Sequence, residues 1–124
     1  MSKGMGKNIK DFNKFKMNED NLPIKEWLPS DFNFREYADN NMPMLAKKVL
    51  TNKDIDHVAH ILEMLAKSYS GVPSHDEFVD YVLAEKFDKA LMKADDVNRI
   101  AIWVYILFQI NKVPITLREK YRHS

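Results

Sequence analysis

Nine consecutive residues, Ile100 to Phe108, include no charged or amide side chain. Such a run has to be shielded from water, yet it is well short of the roughly 18 apolar residues that would cross a bilayer, so no membrane partner is expected. Its β-branched and aromatic residues would also suit a buried strand. A lone strand would have nothing to pair with, because no other window shows strict alternation or a hairpin turn. The run is therefore read as a helix over 96–110, capped by Asp95 or Asp96 and stopped by Asn111 and Pro114. Apolar on every side, it is expected at the centre of the fold with Trp103 largely buried, or else in a contact between two copies of the chain.

The remaining punctuation is also helical. Thr51 with Asp54 opens a helix in which Ile55, Val58, Ala59, Leu62, Leu65, Ala66 and Tyr69 recur at three- and four-residue steps. Gly71 and Pro73 close it, the glycine suiting a left-handed cap. Ser74 and Glu77 have the spacing of a capping box, so the next helix is expected to run from Ser74 to about Met92, with a break near Glu85 and Lys86. Before these, Ser30 or Asp31 is expected to start a short helix ending near Asn40 and Asn41. Pro43 suits the first position of another, whose apolar side would be Met44, Leu45, Val49 and Leu50. Thr116 with Glu119 repeats the cap spacing for a last short helix. The expected fold is all-α, a compact bundle of about four to five helices around the central apolar helix 96–110. It divides into a basic arm over 1–21 and one helical domain over 22–124: an aromatic lead-in over 22–42, a helical core over 43–111 and a basic tail over 112–124.

Composition removes several chemistries. Cysteine is absent, which excludes disulfides, a thiolate nucleophile and cysteine-held metal clusters. With three glycines, Gly4, Gly6 and Gly71, a phosphate-cradling loop has no material. Residues 1–16 have no apolar run of signal-peptide length, and the expected location is cytoplasmic. The charge is partitioned. Residues 1–16 carry Lys3, Lys7, Lys10, Lys14 and Lys16 against Asp11, a balance of +4. Residues 17–100 set ten basic against sixteen acidic side chains, −6. In 101–124, Lys112, Arg118, Lys120 and Arg122 meet only Glu119, +3.

Three constellations have the letters of a catalytic or metal site. Asp54/His57 and His60/Glu63 have the carboxylate–histidine spacing of di-metal helices. His60 nevertheless falls in a polar stripe with Asp56 and Glu63, where a solvated charge ladder explains it. Ser74, His75 and Asp76 hold triad residues, but adjacent side chains opening a helix point apart, and the cap explains them. The helix after Ser74 carries Asp76, Glu77, Asp80 and Glu85 and no basic residue up to Glu85, so a DNA groove would repel it. No catalytic residue, cofactor or metal is expected.

What is left suggests binding. The lead-in holds Trp27, Phe32 and Phe34, and the arm holds Phe12 and Phe15; together they are the expected contacts to a protein partner, with the chain serving as an adaptor or inhibitor. The alternative is sequence-independent nucleic-acid binding through Lys3, Lys7, Lys10, Lys14, Lys16, Lys112, Arg118, Lys120 and Arg122.

Overall fold

The computed structural model describes residues 22–123, and among these all regular structure is helical. A 3-10 turn at Ile24–Glu26 is followed by eight helices. These are α1 (Phe34–Asn41), α2 (Met44–Lys47), α3 (Asn52–Tyr69), α4 (Glu77–Leu83), α5 (Phe87–Lys93), α6 (Asp96–Ile100), α7 (Ile102–Lys112) and α8 (Ile115–Arg122). The expected arm over 1–21 lies outside the described residues.

The longest helix, α3, forms where its signals are strongest. The Thr51 hydroxyl accepts from the Asp54 amide at 3.1 Å, and the Asp54 carboxylate accepts from the Thr51 amide at 2.9 Å, satisfying two amides that the first turn leaves open. At the other end the Val72 and Gly71 amides donate to the Lys67 and Ser68 carbonyls, both at 3.0 Å. This reversal needs the left-handed backbone that Gly71 supplies at φ 102°. The buried face of α3 runs from Ile55 to Tyr69, and α3 packs against the 3-10 turn, α1, α4, α6 and α8.

Several local expectations are corrected. Asn33, and not Ser30 or Asp31, caps α1, its side chain accepting from the Glu36 amide at 2.9 Å. Asp76, and not Ser74, caps α4, accepting from the Val79 amide at 3.2 Å. Ser74 instead accepts from the Asp76 amide and donates to the Asp80 carboxylate, while His75 turns the chain at φ 58°. Pro43 and Pro114 stand one position before α2 and α8, neither of which has a side-chain cap, so Thr116 does not open α8. On α2, Met44 and Leu45 are 79% and 76% exposed and only Ala46 is buried; beyond its end Val49 also faces outward, while Leu50 packs on the core.

The long stretch after Ser74 breaks where expected. The Glu85 and Lys86 amides donate to the Val82 and Tyr81 carbonyls, a second left-handed helix end, here with Glu85 at φ 57° in a position that favours glycine. The apolar run is also divided. Ala101, fully buried, makes a tight joint (φ −87°, ψ 1°) between α6 and α7. One face of α7 is buried through Val104, Tyr105, Phe108 and Gln109. The opposite face is open, with Trp103 52% and Ile110 56% exposed, so the apolar run is not surrounded on all sides.

Among the described residues three polar side chains are buried, Ser68, Asn98 and Gln109, and two of them are held by hydrogen bonds across the core, although Gln109 Oε1 and Ser68 Oγ have no partner there. Gln109 Nε2 donates to Tyr69 Oη at 2.8 Å and to the Val82 carbonyl at 2.7 Å, tying α7 to α3 and α4. Tyr105 donates to Asn98 Oδ1 at 2.6 Å. Burial pushes both the Tyr69 and Tyr105 phenols above the ordinary range, since a phenolate would have to be desolvated.

Candidate functional site

The aromatic side chains of the lead-in seek cover, and four of them find it on a single ring. Phe108 of α7 is met by Tyr37 at 5.7 Å, Phe32 at 6.0 Å, Phe34 at 6.2 Å and Trp27 at 6.3 Å between ring centroids, in edge-on or tilted arrangements. Phe32 also meets Phe34 at 5.0 Å and Tyr37 at 5.6 Å. Such pairs contribute about 0.5–1.5 kcal/mol each beyond the area they bury. Trp27 is fixed further by donating from Nε1 to Ser70 Oγ at 3.2 Å. Trp27, Phe32 and Phe34 are thus half-buried and packed on the core.

Alongside this aromatic assembly, Arg35 fastens α1 to the start of α3. Its Nε donates to Asp56 Oδ1 at 2.7 Å, Nη2 donates to Asn52 Oδ1 at 3.3 Å, and Nη1 lies 3.7 Å from Asp39. The turn from Pro29 to Asn33 is thereby held beside the polar face of α3 without filling the space between them. An open groove of about 580 Å³ results, lined on one side by Ser30 to Arg35 and on the other by Asp56, Ala59, His60 and Glu63. A second cleft, of about 290 Å³, opens between the turn and α1, and a third, more apolar, of about 200 Å³, lies against Ile24 and Leu28. Phe32 lines all three.

The groove combines three carboxylates, Asp31, Asp56 and Glu63, with one guanidinium. Asp56 is engaged by Arg35, and Glu63 pairs with Lys67 at 3.3 Å. The stripe that reads in sequence as a solvated ladder is therefore one wall of a groove, because the lead-in lies beside it. Sequence spacing shows the wall but not the neighbour. His57 is exposed on α3. Among the described residues no cluster of three or more carboxylate or imidazole side chains has the geometry to hold a metal ion.

The basic residues at the other end of the chain already have contacts within the fold. Arg118 Nε lies 3.2 Å from Glu85 Oε2, and Arg122 Nε lies 3.4 Å from Glu85 Oε1. Lys112 Nζ sits 5.8 Å above the Phe32 ring, and Lys120 Nζ sits 5.1 Å above that of Tyr121. Tyr121 in turn donates to the Ser68 carbonyl at 2.8 Å. Phe12, Phe15, Lys3, Lys7, Lys10, Lys14 and Lys16 fall outside the described residues. No protein-family model, curated protein or solved structure matches the chain.

Proposed function

We propose that this chain is a non-enzymatic protein-binding module of the cytoplasm, a helical bundle with a basic N-terminal arm that acts as an adaptor or inhibitor. Its docking surface is the corner around Phe32. The observation that carries this reading is the convergence of three clefts on that one side chain, in the segment whose aromatic residues are the expected partner contacts. Concave surface with an aromatic floor and a few oriented polar groups is where binding concentrates. Carboxylates at Asp31, Asp56 and Glu63 beside the apolar cleft at Leu28 and Phe34 suit an extended segment that carries lysine or arginine next to an aromatic or aliphatic side chain.

Nucleic-acid binding through the basic ends has less support, since Arg118 and Arg122 are turned onto Glu85. Retrieval of the tagged protein from its own source, with nuclease present, separates the two readings. The docking reading expects one protein to be retained by the wild type and lost from the Asp31→Lys, Glu63→Lys double variant. Retention indifferent to the double variant, or material that disappears with nuclease, overturns it.

A further inference from the structure

Resting on that reading of the groove, we propose that its first occupant is a segment of the same chain, residues 10–17, docked in cis so that an outside partner has to displace it. The chemistry of this segment complements the site. Lys10, Lys14 and Lys16, against Asp11 alone, supply cations to a groove lined by Asp31, by Asp56 on Arg35 and by Glu63, whose exposed pairing with Lys67 an incoming lysine can exchange. Phe12 and Phe15 supply rings to the apolar cleft that adjoins it.

The attachment point is also right. Leu22 packs on the core, Ile24 lines the apolar cleft, and that cleft shares Ser30, Phe32 and Phe34 with the acidic groove. Five residues, 18–22, can span at most roughly 17 Å, which keeps the segment close to the lead-in. A short tether gives an effective concentration on the order of millimolar, so weak contacts are enough to fill the groove most of the time. An outside ligand then binds with an affinity reduced by the fraction of molecules whose groove is open, and removing the lysines raises that affinity.

The absence of cysteine makes the test clean, because Asn8→Cys creates a single site for a nitroxide label on the full chain. The expected result is loss of most of the amide signal at Asp31, His60 and Glu63, relative to the reduced label, while amides of α5 keep theirs. That loss should persist on dilution, as cis docking requires. It should shrink in roughly 1 M salt, where the screening length is about 3 Å. It should disappear when Lys14→Glu and Lys16→Glu are added. Undiminished groove signals, a loss that fades on dilution, or a loss indifferent to the two glutamates each overturns the proposal. An outside protein captured through Asp31 and Glu63 while the label leaves the groove untouched sinks the cis occupant alone; a groove that engages neither sinks the docking reading as well.

Discussion

Glu85 offers a sharp test of the backbone geometry, because two opposed effects meet at one residue. Its φ of 57° is the left-handed conformation that ends α4, and a side chain there costs about 1 kcal/mol relative to glycine. Its carboxylate holds Arg118 and Arg122, and the Glu85 and Arg118 side chains are only 16% and 17% exposed, so loss of the pair is felt more than at an open surface. Taking about 2 kcal/mol for such charge-assisted contacts, Glu85→Ala loses them and keeps the backbone cost, for a destabilisation of about 2 kcal/mol. Glu85→Gly loses the same contacts and relieves the backbone, for about 1 kcal/mol. The glycine variant should therefore be the more stable of the two by about 1 kcal/mol, which for a domain of this size is roughly 4–8 °C in Tm. Urea denaturation of both variants near neutral pH reads the difference. In an ordinary helical or extended backbone glycine would be the worse residue by about 0.5–1 kcal/mol. Alanine proving more stable than glycine would refute the left-handed helix end.

Phe108→Ala removes the ring on which four others rest, and urea denaturation should show a loss of about 3–5 kcal/mol, with the fluorescence of Trp27 shifting to the red as its edge contact opens. Gly71→Ala forces a side chain into the φ 102° turn after α3 and should cost about 1–2 kcal/mol by the same assay. Trp103→Ser should change stability by far less than an average core tryptophan, within about 1 kcal/mol, because that side chain is more than half exposed. Tyr69 and Tyr105 give a pH dependence whose sign follows from their raised values: the unfolded chain releases phenolic protons from about pH 10 while the folded one retains them. Stability is thus intact below pH 10 and falls above it, by up to about 1.4 kcal/mol per pH unit for each tyrosine, and Tyr105→Phe should make the fall shallower in denaturation curves taken across that range.

Elements specified by their own neighbours were legible in the sequence. The Thr51–Asp54 box, the turn at Gly71, the cap at Asp95 or Asp96, which falls on Asp95, and the break at Glu85 all rest on groups within a few residues of the backbone they satisfy. Where two caps competed, pattern alone could not choose. Ser74 and Asp76 are both strong caps, and the structure uses the second while the first braces the turn. The apolar run hid its own orientation, since a segment without polar residues has no moment to say that Val104, Tyr105 and Phe108 turn inward and Trp103 outward. The candidate site was the least legible part. Its aromatic floor depends on Trp27 meeting Phe108 across the length of the chain, and its acidic wall becomes a groove only when the lead-in lies alongside α3.

Photo-crosslinking in the native source reads the docking corner most directly. A photoreactive side chain placed at Ser30, on the rim shared by the acidic and apolar clefts, should give an adduct with one protein, and Asp31→Lys should abolish it. The same group at Lys89 on α5, outside the clefts, should give none. An adduct of equal yield from both positions, or none from Ser30, would contradict the assignment of the Phe32 corner as the binding surface.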